Sequence, residues 1–292
     1  MTKKISGGKA VVETLKKMGV KHVFGLIGSA TMEIFDALYD CKSIKFIGVR
    51  DERTGTHMAD GYARATGKPG IMIAGQNGPG ATNLVTGVAQ ASAAFSPVIS
   101  IAGAISTEHR GKETFQEIDQ QKLFEPITKK TFTIERTSKI SNTINEAFKL
   151  ALTPTNGPVH INLPRNILSN KIDFKNFEIF QIKPPPQPLE KDILKILNII
   201  NSSSKPVIIA GGGIKNTKGH KEVINLAKLI FAPIVSSAGH GDVIPFNEEL
   251  YAGQMGPRGN KIALKLLKNA DVILALGTRL GFNSTFYSYE NI

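Results

Sequence analysis

A carboxyl group placed where a strand hands over to a helix can share a proton with a bound base, and Arg50-Asp51-Glu52 offers one. Glu52 also suits a plainer role, because an acidic residue in the first turn of a helix is favoured by the helix dipole. The chemical reading requires it to be partly buried, beside a ligand rather than in water. Two glycine-rich stretches could also approach a ligand. Gly25-Leu26-Ile27-Gly28-Ser29 allows a tight turn or a close backbone approach to a ligand, and equally an ordinary βα turn. Gly75-Gln76-Asn77-Gly78-Pro79-Gly80-Ala81-Thr82-Asn83 has the outline of an anion cradle at a helix start, yet it has neither the lysine of a P-loop nor G-x-G-x-x-G spacing. Pro79 has no N–H to donate, so the loop is shaped more than donor-rich, while Gln76 and Asn77 carry side-chain amides. Phe115 and Gln116 could furnish an apolar contact and an amide donor in a pocket, or belong to a polar amphipathic segment. His57 has no second ligand at i+4 and reads as a packed helix residue, so no metal site is expected. A single cysteine, Cys41, and no Ser/His/Asp constellation argue against nucleophilic hydrolysis.

The elements that must position these groups alternate between short apolar strands and helices. Strands are expected at His22–Leu26, Ile44–Val49, Gly70–Ala74, Val98–Ala102, Thr131–Ile134 and Val159–Leu163, and helices at Gly8–Met18, Thr31–Tyr39, Arg53–Thr66, Ala81–Ala93 and Lys139–Leu152. Continuous apolar strands imply a sheet covered on both faces, hence mostly parallel. A polar stretch ending in Pro184-Pro185-Pro186-Gln187-Pro188 reads as an extended linker. A second α/β pattern follows, with helices Glu190–Ile200, His220–Phe231 and Lys261–Asn269 and strands Pro206–Ala210, Pro233–Ser236 and Asp271–Leu276. Gly211-Gly212-Gly213, Gly239–Asp242, Gly253–Gly259 and Gly277-Thr278-Arg279 read as loops at strand ends, where open α/β sheets bind ligands. The expected fold is therefore α/β, two successive mostly parallel-sheet domains over 1–168 and 190–292, joined by a linker over 169–189. The end at Tyr289-Glu290-Asn291-Ile292, just after a strand-to-loop passage, reads as a truncation.

Together these motifs resemble the thiamine-diphosphate enzymes of the acetolactate synthase group, over essentially the whole chain. Arg50–Glu52, His57–Arg64, Gly78–Asn83 and Phe115–Glu117 stand in the order of that group's R-x-E, H-x-A-D-G-Y-A-R, G-P-G-A-T-N and F-Q-E motifs. The resemblance implies a pyrimidine-binding domain followed by a Rossmann-like middle domain. It implies that Glu52 is the catalytic glutamate, bonded to N1′ of the aminopyrimidine and promoting loss of the thiazolium C2 proton. It places Gly28, Ser29, Gly78, Pro79 and Asn83 at the cofactor, and Gln76, Asn77, Phe115, Gln116 and Lys129 at the substrate, a 2-oxoacid or aldehyde. Three departures stand out. Arg53 replaces a common Gln, Ile27-Gly28-Ser29 replaces a Pro-Gly-Gly loop, and Leu280-Gly281-Phe282 stands where flavin-binding members have Phe-Asp-Asp. FAD is thus left open, and sulfoacetaldehyde acetyltransferase is an alternative, as is a non-catalytic binding or regulatory subunit. No Gly-Asp-Gly occurs, so Mg2+ and diphosphate are expected on a further C-terminal domain, and this chain alone is expected to be inactive. A homodimer or homotetramer through the pyrimidine-binding domain is implied as well.

The composition sets outer limits. The chain of 292 residues has a formal charge of +12, spread over both halves with no basic run longer than a pair. Aromatics are 7% and Trp is absent, so a nucleic-acid platform is not expected. No apolar run approaches the roughly 18 residues that span a bilayer. The lysines near the start lead into an amphipathic helix instead of a signal-peptide core. A cytoplasmic protein that binds no membrane is expected.

Overall fold

A computed structural model describes residues 4–174, 177–182 and 184–288. The expectations that fall on residues 1–3, on 175, 176 and 183 of the expected linker and on 289–292 lie outside the described residues. The chain divides into two compact units, Met1–Pro184 and Pro185–Ile292.

In the first unit the elements run β1 (Lys4–Ser6), α1 (Gly7–Lys17), β2 (His22–Leu26), α2 (Met32–Asp40), β3 (Lys45–Gly48), α3 (Glu52–Thr66), β4 (Gly70–Ala74) and α4 (Pro79–Ala93). They continue β5 (Val98–Ala104), α5 (Gln120–Phe124), β6 (Lys130–Thr133), α6 (Ile140–Leu152), β7 (Val159–Pro164), α7 (Arg165–Ser169) and β8 (Lys171–Asp173). Six strands form one parallel sheet in the order β3-β2-β4-β5-β7-β6. Alternation within β4 explains its two-sided cover. Ile71 and Ile73 join a core with α1, α2 and α6, while Met72 and Ala74 join a second core with α3 and α4. Close approach on the second face depends on small residues. A side chain at Gly55 would meet Met72 Sδ at 2.5 Å, and one at Gly70 would meet the Ala59 carbonyl at 2.0 Å.

Local chemistry fixes the helix starts. Ser6 caps α1 by accepting from Lys9 N–H at 3.2 Å, and the Asp51 side chain caps α3 by accepting from Arg53 N–H at 2.8 Å. Pro79 is the first residue of α4, where its missing N–H costs nothing. The helix therefore begins two residues earlier than expected. Strand order places a crossover reversal between β2 and β4, since β3 lies to one side and β5 to the other. In open α/β sheets ligands bind outside the carboxyl ends of strands at such a point. A short antiparallel pair, β1 with β8, was not foreseen. Three residues on each side carry no readable periodicity.

The second unit contains α8 (Glu190–Asn201), β9 (Pro206–Ala210), α9 (Gly213–Thr217), α10 (His220–Leu229), β10 (Ile234–Ser236), β11 (Tyr251–Gln254), α11 (Lys261–Asn269), β12 (Val272–Leu276) and α12 (Phe282–Thr285). Its four strands are parallel in the order β11-β10-β9-β12. The fold is thus two α/β units with parallel main sheets, as the alternating pattern implies. One reading needs correcting: Gly253 and Gln254 are not loop residues but part of β11. Gly253 has φ 97° and the β10–β11 register shifts there, which breaks the alternation that would mark a strand.

Candidate functional site

Glu52 opens α3 just beyond the carboxyl end of β3 and is 5% exposed. Its Oε2 accepts from Asn83 Nδ2 at 2.9 Å, a contact between the first turn of α3 and the second turn of α4. A side chain at Gly80 would stand 3.4 Å from Oε1, so the absent Cβ keeps that oxygen's surroundings open. Asp51, the neighbouring carboxyl, has a different task. The Arg53 guanidinium and N–H hold its pKa down at about 2. Arg53, a departure from the resembled pattern, is thereby tied to the cap.

The glycines at the β2–β4 crossover meet backbone to backbone. A Cβ on Gly28 would lie 2.5 Å from the Gly75 carbonyl oxygen, and one on Gly75 would lie 2.2 Å from Gly28 N. Gln76 Oε1 then accepts from Ser29 Oγ at 3.1 Å and from Ala30 N–H at 3.2 Å, lashing the two loops together. Asn77 Nδ2 donates to the Gln116 carbonyl at 3.0 Å. Gly78, at φ 53°, takes up a positive-φ conformation that favours glycine and lets α4 start against Gln116. The structure therefore gathers Gly28, Ser29, Glu52, Gln76, Asn77, Gly78, Pro79, Asn83 and Gln116 along one rim of the sheet. Beside them a cleft of about 930 Å³ opens, lined in part by Gln116, Gln120, Thr133 and Asn162.

Two of the expected residues stand differently. Phe115 is 81% exposed, with only its carbonyl near Asn77 at 3.4 Å. Lys129 precedes β6 at the opposite rim, where its ammonium donates to the carbonyls of Thr153 and Thr155, both at 2.7 Å. Burial lowers its pKa.

Sequence reasoning passed over Ser100, Gln120, His160 and Asn162, which form a buried polar group behind the rim. A signal was present: Ser100 interrupts an apolar strand, and His160 and Asn162 alternate within Val159–Leu163, so they share one face. His160 is fully buried and stacks on Phe124 with ring centroids 3.6 Å apart. Burial drives its pKa down from 6.5 to about 3, against a smaller opposing effect of the Asn162 bond. A histidine kept neutral contributes stability that is present above its unfolded value and lost as pH falls from 6.5 toward 3. Between pH 6.5 and 5 the loss is about 2 kcal/mol. The capping carboxylates lose theirs only lower, below their own unfolded values. Unfolding free energies from urea titrations at pH 7 and pH 5 should differ by that amount in the native chain and converge in His160→Gln. An equal difference in both proteins would refute the assignment.

The family model described as thiamine pyrophosphate enzyme, N-terminal TPP binding domain, matches residues 5–123, and the central-domain model matches residues 193–292. The chain belongs to the thiamine pyrophosphate enzyme family. Among its relatives is a probable acetolactate synthase large subunit of Methanocaldococcus jannaschii, 37% identical over 94% of this chain and 47% of that protein. The acetolactate synthase large subunit of Buchnera aphidicola subsp. Schizaphis graminum is also 37% identical, over 96% of this chain and 50% of its own. That of Corynebacterium glutamicum is 32% identical, over 94% and 44%. The chain spans about half the length of these relatives. They lend no support to the sulfoacetaldehyde acetyltransferase alternative. The N-terminal match falls within the first unit, and the Glu52 rim lies inside it.

Proposed function

We propose that this chain forms the pyrimidine-binding and middle portions of an acetolactate synthase-like carboligase that uses thiamine diphosphate and acts on a 2-oxoacid. The observation that carries the reading is Glu52, a nearly buried carboxyl held by Asn83 through one oxygen, while Gly80 leaves the space beside its other oxygen without a side chain. These residues suit a heteroaromatic base: the space that a Cβ on Gly80 would take lies beside a carboxyl able to exchange a proton with a ring nitrogen. When bound, thiamine diphosphate supplies the electron sink that such a reaction requires.

Glu52 holds or releases the proton at its free oxygen, and Asn83 fixes the carboxyl so that its motion is not wasted. Gly28, Ser29, Gly78 and Pro79 form the wall of the cofactor site. Gln76, Asn77, Phe115 and Gln116 lie on the side where substrate enters. Lys129 takes no part in the cluster around Glu52. Mg2+ and the diphosphate belong to groups outside this cluster, in keeping with a further domain. FAD is not part of the proposal. A homodimer through the first unit and a cytoplasmic location complete the proposal. Among the described residues no helix is long and apolar enough to cross a membrane.

The test is acetolactate formation from pyruvate by a full-length protein carrying this chain, with thiamine diphosphate and Mg2+ added. Product that depends on the cofactor supports the reading. A protein that binds thiamine diphosphate yet neither decarboxylates nor condenses 2-oxoacids defeats it.

A further inference from the structure

The polar group behind the rim has a direction, and backbone atoms set it. Gln120, the first residue of α5, is 6% exposed. Gly78 N–H can only donate, so the Gln120 atom 3.2 Å away is Oε1. The Gly103 carbonyl can only accept, so the atom 3.1 Å away is Nε2. Nε2 also lies 2.7 Å from Asn162 Oδ1, which must therefore accept. His160 Nε2 stands 2.9 Å from that same oxygen and must carry a proton. With the ring neutral, Nδ1 is a lone pair and receives the Ser100 hydroxyl at 2.9 Å. Asn162 Nδ2 donates outward to Thr133 Oγ1 at 3.3 Å.

We propose that Gln120 is a positioning residue for the Gly75–Gly80 loop, backed by Asn162, whose oxygen is kept facing it by a single tautomer of His160, protonated at Nε2. The reach to the site is short. Gly78 immediately precedes α4, and Asn83 on that helix holds Glu52. Loss of the Gln120 acceptor frees the Gly78 amide, and the first turns of α4 gain play against Glu52. A buried group in which each side-chain nitrogen and oxygen has a partner also resists rearrangement, since a flipped Gln120 amide would set like groups against Gly78 N–H and the Gly103 carbonyl. The reading of the rim as a cofactor wall is what makes this loop matter, but the polar chain itself is measurable without cofactor.

The experiment is nitrogen-15 NMR and amide exchange on the 292-residue chain alone. His160 should show a pyrrole-type Nε2 and a pyridine-type Nδ1. A proton on Nδ1 would overturn the proposal. Gln120→Met should speed exchange at Gly78 by about tenfold, leaving the β4 amides unchanged. Should Gln120→Met loosen the whole chain, a second pair of variants decides. His160→Leu removes the donor to Asn162 and should again speed Gly78 exchange about tenfold, whereas His160→Gln keeps an N–H there and should stay within about twofold of native. Unchanged Gly78 exchange in His160→Leu, or equal acceleration in the two His160 variants, overturns the proposal. Failure of the cofactor reading would show instead as turnover surviving a change at Glu52, with these exchange rates untouched.

Discussion

Glu52→Gln, in a full-length protein carrying this chain, is expected to lower turnover by about 10²–10⁴-fold, the range that a positioned acid or base contributes. The substitution isolates the proton. Glutamine is nearly the same size, and its amide oxygen can still accept from Asn83 Nδ2, so the 2.9 Å contact and the packing of α3 on α4 survive. What disappears is a group able to give and take a proton at the rim. The thermal midpoint should therefore hardly move while turnover collapses. Asn83→Ala separates positioning from chemistry. It leaves the proton on offer but frees the carboxyl, and should cost about tenfold. The double variant should be little worse than Glu52→Gln alone, because the two residues act as one unit. If Glu52→Gln turns over within about threefold of the parent, Glu52 is only an acidic helix-start residue and the catalytic assignment falls.

How much of this was legible in the sequence depends on the range of the physics. The six-stranded sheet was readable because strands such as Gly70–Ala74 are apolar throughout and bounded by turn residues. The start of α4 was missed by two residues because Pro79 looks like a breaker until it is recognised at the first helical position. Glu52, Asn83 and the glycine loops were legible as types in a familiar order, yet no spacing rule says that Asn83 reaches back to residue 52. Gln120 and His160 were not found. Their partners lie on β5, on β7 and in the loop after β4, and such pairing exists only once the sheet is assembled. The strand β11 failed for the opposite reason, a local irregularity at Gly253 that erases the alternation.

The glycines make a second large prediction, about stability. Gly75→Ala should destabilise the first unit by about 3 kcal/mol or more, the range of severe overpacking. The reason is space. Gly28 has φ −159°, an extended conformation open to any residue, so freedom of dihedral is not what selects glycine there. A Cβ at Gly75 would lie 2.2 Å from Gly28 N and 2.4 Å from the Leu26 carbonyl oxygen. Both are backbone atoms, so no side chain can swing aside. Relief requires β2 and β4 to separate at their carboxyl ends, which also breaks the bond from Ala30 N–H to the Gly75 carbonyl at 3.0 Å. For a unit of this size the midpoint should fall by roughly 6–12 °C. Gly61→Ala is the matching control, since nothing lies within 4 Å of its added Cβ in the interior of α3. It should stabilise by about 0.5–1 kcal/mol through helix propensity. Thermal and urea midpoints of the two variants should therefore shift in opposite directions. A Gly75→Ala chain as stable as the native one would mean that the loops are not locked against each other, and that these glycines instead await a ligand.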